Sequence, residues 1–319
     1  MVTRADTITE AHRAMLDGCA LVDRSERGKL ALSGPDAKTF LHGQVTNDVE
    51  SLEPGRGCYA AFLTHKGKML GDLRILDAGE ELLLDTERSA LQELFNMIRR
   101  FKLGSDVELH KRTLERGMLS LIGPHARRVA AAHELPGAEH SHRAAAIAGA
   151  PVRFIATDLG VDVLCDAADT ERVAAALVAA GAEPVSEQTA EVRRVETGRP
   201  RYGVDLDATV IPQEAGLNAR AVSFEKGCYV GQETVARLYF RGKPNRQLRG
   251  LKLSGPAATG DALRLGEREV GRLGSVVDSP LHGPIALGLV RREAAPGDTL
   301  AVGGGDARAK VVDLPFAQA

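Results

Sequence analysis

One decapeptide, EKGCYVGQET at residues 225–234, sets a cysteine two residues after a lysine and just ahead of a Gly-Gln-Glu run. On an extended segment Lys226 and Cys228 share a face, and an ammonium beside a thiol lowers its pKa. That raises the thiolate fraction that attacks electrophiles or binds metals. Gly227 and Gly231 remove side-chain bulk, so a flat ligand or a second backbone can approach closely. Gln232 and Glu233 add an amide and a carboxylate, the donor and acceptor set that a pterin or purine edge requires. The plain alternative is that a lone cysteine is a small buried hydrophobe. The decapeptide alone leaves both readings open.

Other residue groups admit similar pairs of readings. RRVETG closes a helical pattern with Arg194 and Glu196, where a carboxylate near a pocket would accept two hydrogen bonds from a 2-amino-4-oxo pyrimidine edge. A solvated helix face explains the same residues. Asp72 follows Gly71 on the strand pattern GDLRILD, placed either to act as a general base or ligand-orienting acid, or simply to face outward. In RLYFRGKPNRQLR, Arg237, Arg241, Lys243, Arg246 and Arg249 interleave Tyr239 and Phe240. That composition suits an RNA or the glutamyl tail of a folate, and equally an exposed linker. His140 and His142 in GAEHSHR make a poor metal site and read as part of a solvated loop. No P-loop, complete dinucleotide fingerprint or G-x-S-x-G elbow occurs, which argues against nucleotide hydrolysis, nicotinamide redox chemistry and serine hydrolysis.

These groups need a scaffold. At 319 residues the chain is long enough for two or three compact units, and 44% hydrophobic with 26% charged residues fits a soluble globular protein. Lys plus Arg at 41 against Asp plus Glu at 43 gives no global reason to bind nucleic acid or an anionic membrane. No apolar run approaches the ~18 residues of a membrane span, and the N-terminal MVTRADTITEAHRA lacks a signal-peptide core. A cytoplasmic location without membrane contact is therefore expected. Cysteines 19, 58, 165 and 228 form no C-x-x-C pair, so neither a metal cage nor disulfides are expected.

LALSGPDAKTFL (30–41) parallels LSLIGPHARRVA (119–130): an apolar alternating strand, a Gly-Pro turn, then a helix start with Pro35 or Pro124 in its first turn. Further strand patterns, a helix and a closing strand follow each copy. The order predicts an α+β fold of two related subdomains with antiparallel sheets. From residue 186 a helix dissolves into some thirty residues with little periodicity, a length that favours a functional loop. Beyond about residue 245 short strand candidates separated by Gly, Pro and Asp turns predict an all-β barrel or sandwich. The expected division is 1–112, 113–241 and 242–319, with the signature loop in the second unit.

KGCYVGQE resembles the signature of the YgfZ-type folate-binding proteins, relatives of the glycine-cleavage T-protein, a tetrahydrofolate-dependent aminomethyltransferase. LVDRSERGKLALSGPDAKTFLHGQVTNDV, RRVETGRPRYGVDL and IPQEAGLNARAVSFEKGCYVGQETVAR are similar to the same superfamily. The resemblance implies two α+β units and a β-barrel around a central folate pocket, with tetrahydrofolate or another reduced folate as cofactor. It places the pterin-holding glutamate at Glu196 and the signature at Lys226, Cys228, Gly231, Gln232 and Glu233, followed by basic positions Arg237 and Arg241. Aminomethyltransferases carry two adjacent acids where this chain has Gly71 and Asp72, and they usually lack the cysteine. The expectation is an accessory factor for iron-sulfur cluster assembly or repair, indirectly supporting tRNA modification. Its partners would be reduced folate and iron-sulfur proteins or their assembly factors, without direct tRNA binding. A folate-dependent one-carbon (aminomethyl) transferase using Asp72 is the alternative.

Overall fold

The computed structural model describes residues 8–317; the remainder of the polar N-terminal stretch and residues 318–319 lie outside the described residues. The chain begins with α1 (Ile8–Asp17) and β1 (Ala20–Asp23). It continues through β2 (Gly28–Ser33), α2 (Ala37–Gln44), β3 (Gly57–Leu63), β4 (Met69–Asp77), β5 (Glu81–Thr86), α3 (Leu91–Phe101) and β6 (Glu108–Lys111). The second round comprises β7 (Arg116–Ile122), α4 (Ala126–Val129), β8 (His142–Ile147), β9 (Ala150–Ala156), β10 (Gly160–Asp166), α5 (Thr170–Ala179) and β11 (Glu183–Pro184). α6 (Glu187–Glu196) opens the long loop, in which α7 (Asn218–Ala221) is a single turn, and α8 (Gln232–Arg241) closes it. Six strands complete the chain: β12 (Arg246–Leu253), β13 (Ala262–Leu265), β14 (Arg268–Ser279), β15 (Gly283–Arg291), β16 (Thr299–Val302) and β17 (Arg308–Val312).

The expected α+β architecture with a terminal barrel is present. One sheet runs β3-β4-β5-β2-β6 and is antiparallel throughout; the other runs β11-β1-β7-β10-β9-β8 and is antiparallel except where β1 meets the two-residue β11. Strand β1 thus precedes the first sheet in sequence and lies in the second. β12-β15-β14-β13-β16-β17 close into a barrel around Leu251, Leu263, Leu273, Leu300 and Val311, and closure leaves no unpaired edge.

Each sheet buries its apolar face against its own helices. On α3, Leu94, Met97 and Ile98 fall at helical i, i+3, i+4 spacing and pack on Leu30, Leu73, Ile75 and Leu84. α5 does the same in the second unit with Val173 and Leu177 against Val161 and Val163. Burying each such side chain contributes roughly 1.5–3 kcal/mol. The opposite faces of the two sheets meet each other, partly through an apolar patch of Ala31, Leu76, Leu83 and Ile155 and partly through charged side chains. No helix among the described residues is long and apolar enough to cross a membrane.

Candidate functional site: a charged cavity between the sheets

Strand alternation assembles the meeting faces. Asp72 and Arg74 lie two apart on β4, Asp85 pairs with Arg74 from β5, and Ser120 on β7 pairs with Asp162 on β10. Arg74 crosses the gap: its guanidinium donates to Asp162 Oδ2 at 2.6 Å and lies 2.7 Å from Asp85 Oδ2. Ser120 Oγ donates to Asp162 Oδ1 at 2.7 Å, and Arg27 Nε donates to Asp85 Oδ1 at 2.7 Å. Burial opposes the charge on Asp85, but Arg27 and Arg74 outweigh it and hold the carboxyl below its usual range.

Beside this seam lies a cavity of about 210 Å³ whose wall includes Tyr59, Arg74, His140, Arg194, Arg201 and Arg220. Three buried polar atoms on that wall have no hydrogen-bond partner: Arg74 Nε, Arg201 Nε and His140 Nδ1. Buried polar atoms are normally satisfied, so three orphans on lining residues set this wall apart, and its arginines make the cavity suited to a polar or anionic occupant. Behind the wall, Asp72 accepts a hydrogen bond from Tyr59. Burial nevertheless raises its carboxyl to about 6. The Arg220 guanidinium sits 5.4 Å above the Tyr59 ring. Burial, reinforced by Arg74 and Arg220, pushes the His140 imidazole down to about 3, so it is neutral.

The residues singled out from sequence fall in three places. Arg194 lines the cavity, anchored by Glu191 Oε2 and Asp205 Oδ2, each 2.8 Å away. Asp72 stands behind Tyr59. Glu196 does not line the cavity, because on a helix two residues apart are about 200° apart, and Arg194 already faces that way. Its carboxylate instead receives His12 Nε2 at 2.8 Å, Ser279 Oγ at 2.6 Å and Arg193 at 3.2 Å, tying α1 and the barrel to α6. Burial opposes its ionisation, yet these bonds keep its pKa below the ordinary glutamate range. Charged residues at alternate positions of two strand faces that meet are the signal that would have found Arg74, Asp85 and Asp162. The alternation is visible in the sequence, but the facing is not.

The remainder of the predicted set lies around the signature loop. Lys226 differs from expectation: its ammonium donates to the carbonyls of His42, Val45 at 2.8 Å and Asn47 at 3.1 Å. The thiol that feels its charge is the half-buried Cys58. Burial lowers Lys226 to about 8. Gly231 caps α8 in the left-handed conformation (φ 84°), and a Cβ there would stand 2.5 Å from the Thr64 carbonyl. Gln232 and Glu233 form the first turn of that helix, and Arg237 is exposed one turn on. Among the described residues no group of three or more His, Cys, Asp or Glu side chains is arranged to hold a metal ion.

Cys228 is exposed, whereas burial raises Cys19 to about 11, Cys58 to about 12 and Cys165 above its usual value. With an aromatic disulfide reagent at pH 8, the native protein should therefore release one equivalent of thiolate rapidly and the remaining three only on unfolding. Cys228→Ser should abolish the rapid phase; a fast phase that survives would place the reactive thiol elsewhere.

His140 and His142 also differ from the solvated-loop expectation, since both are largely shielded and His140 reaches the cavity. A family model described as the GCVT N-terminal domain matches residues 2–226, and one described as the glycine cleavage T-protein C-terminal barrel domain matches 246–318. A chloroplastic protein of Arabidopsis thaliana with a provisional transferase name is 30% identical over 329 positions, spanning 99% of this chain and 75% of its own. The crystal structure of glycine cleavage system aminomethyltransferase T from Bartonella henselae superposes with a TM-score of 0.84 at 23% identity. It covers 97% of this chain and 89% of its own, a likeness of fold.

Proposed function

This chain belongs to the glycine cleavage T-protein family, and from that premise we propose that it binds a reduced folate in the central cavity and serves iron-sulfur proteins as an accessory factor of the YgfZ type. The observation that carries the folate reading is the chemistry of the cavity wall, where several arginines stand with Tyr59 and His140. The guanidiniums of Arg194 and Arg201 are donors, while neutral His140 adds an acceptor, a combination that suits a pteridine with its oxo group and ring N–H atoms. Further arginines on the wall, Arg220 among them, favour the carboxylates of a glutamyl tail. A reduced folate supplies a carrier for a one-carbon unit. The chain's own contribution is to orient it and to hold or release a proton at Asp72 through the Tyr59 hydroxyl.

Position 71 favours the accessory role over aminomethyl transfer. A Cβ there would stand 2.6 Å from the Phe62 ring and 2.6 Å from Ala90 Cβ, so the first of the paired transferase acids has no room. The exposed Cys228, which is not among the residues lining the cavity, is accessible to a partner protein. Support for transfer RNA modification would then be indirect, through enzymes that carry clusters.

Titration with tetrahydrofolate under anaerobic conditions tests the first half. Wild type should bind, and Arg201→Ala should bind about tenfold or more weakly, since a hydrogen bond from a charged group is worth about 1.5–3 kcal/mol. Absence of wild-type binding ends the folate reading. For the second half, a strain lacking the protein should lose cluster-dependent enzyme activity under oxidative stress, restored by wild type and not by Cys228→Ala. Full rescue by that variant, or turnover of a lipoyl-borne aminomethyl group, would favour the transferase.

A further inference from the structure

The structure sorts the basic stretch RLYFRGKPNRQLR into two sets. Arg246 Nε donates to Glu214 Oε1 at 3.0 Å and Arg249 pairs with Asp313, so both hold the fold together. Arg237, Arg241 and Lys243 are exposed, and among the described residues none of them has a carboxylate oxygen within 4.0 Å. None of the three lines the central cavity. The rings interleaved with them form one cluster. Phe224, four residues before Cys228, stacks on Tyr239 with centroids 3.6 Å apart, and Phe240 meets Tyr239 edge-on at 5.0 Å. The loop that carries the thiol thus lies against α8. Yet Tyr239 is 51% exposed and Phe240 69%. Helix α8 turns inward through the buried Val235, and on its outward side Arg237, Phe240 and Arg241 follow at i, i+3 and i+4. Large rings grouped in solvent and accompanied by cations without partners have the composition of a binding hot spot.

We infer that this outward face of α8 docks an acidic segment of a partner protein that carries an apolar or aromatic anchor. The inference rests on the accessory reading for the existence of the partner, and uses neither the cavity nor the folate. The anchor packs on Phe240, and the carboxylates beside it pair with Arg237, Arg241 and Lys243. A single-stranded RNA fits less well. Successive bases stack on several open rings, whereas Phe224 and Tyr239 cover each other and Phe240 stands as a single outward ring. Three cations are also few for a polyanion, and a net charge of −2 supplies no wider basic field.

Fluorescence anisotropy with the full chain tests this. The probe is a short labelled peptide of Glu and Asp residues around one tryptophan; a version with lysines in place of the acids and an oligouridylate of the same length are the comparisons. Wild type should bind the acidic peptide, more weakly as salt rises. Phe240→Ala, and separately Arg237→Ala with Arg241→Ala, should each weaken binding about tenfold. Because these side chains are exposed, the variants should melt close to wild type. Equal binding of the lysine peptide, tighter binding of oligouridylate, or unchanged affinity in the variants overturns the inference. So does self-association of wild type that Phe240→Ala abolishes, since the occupant is then a second copy of this chain. Wild type that restores the deletion strain but binds no peptide overturns the docking surface and leaves the accessory role standing. Wild type that binds the peptide but fails to restore the strain sinks the accessory role, and the inferred partner with it.

Discussion

Replacing Arg74 with methionine is expected to destabilise the protein by about 3–5 kcal/mol, read as a lower urea midpoint at unchanged slope. Arg74 is buried at the contact between the two sheets and bridges Asp85 on one to Asp162 on the other. Methionine fills much of the same volume, so packing is not the main loss. Two carboxylates lose their shared cation: Asp85 retains Arg27, whereas Asp162 keeps only the Ser120 hydroxyl. The penalty is that of a buried charge left uncompensated. Removing the charge as well, in Arg74→Met with Asp162→Asn, should restore part of the stability; a double variant as unstable as the single one would refute this account.

The same substitution should alter the acid limb. Asp85 has a depressed folded pKa, so its contribution is present above the unfolded value of about 3.9 and is lost as pH falls through the folded one. Without Arg74 the folded value moves up, the window narrows, and acid unfolding depends less on this group. Stability curves for wild type and Arg74→Met should therefore converge as pH falls below about 4.

How far the sequence could be read follows from which contacts are local. The repeated strand, Gly-Pro and helix pattern is local, and both copies stand where expected, although the second helix shrinks to Ala126–Val129. The all-β C-terminal unit was also legible as short strands between turn residues, whereas that pattern left barrel and sandwich equally open. Pairing was not: β1 reaches across to β7 through a register that depends on where 90-odd intervening residues go. Helix periodicity was sufficient to show that Arg194 and Glu196 face different ways, yet the resemblance places the pterin-holding residue at Glu196, and it is Arg194 that lines the cavity. Lys226 and Cys228 would share a face only in an extended segment. The chain instead turns there so that the ammonium can cap carbonyls of residues 42–47. His140 carried no signal beyond its polar neighbours, because its orphan nitrogen and left-handed backbone exist only in three dimensions.

Asp72→Asn should stabilise the protein at pH 7–8 by roughly 2 kcal/mol while weakening whatever the cavity does. Asp72 is 4% exposed, and burial raises its carboxyl to about 6, against about 3.9 in the unfolded chain. With the folded value raised, the folded state binds more protons between those pH values, and stability falls as pH rises through the window. Above about pH 6 the full cost of a buried carboxylate is present. About two pK units correspond to somewhat under 3 kcal/mol, reduced because the asparagine NH₂ needs a partner of its own while its oxygen keeps the Tyr59 bond. The gain should vanish below about pH 4, where aspartic acid is neutral in both states. Urea midpoints at intervals from pH 4 to 8 check this: a variant no more stable than wild type at pH 7.5 would mean that Asp72 is not held ionised in a dry site. A group that destabilises its own fold at neutral pH is retained for what it does, and here it is a carboxyl placed behind the cavity's tyrosine with a pKa near the working range.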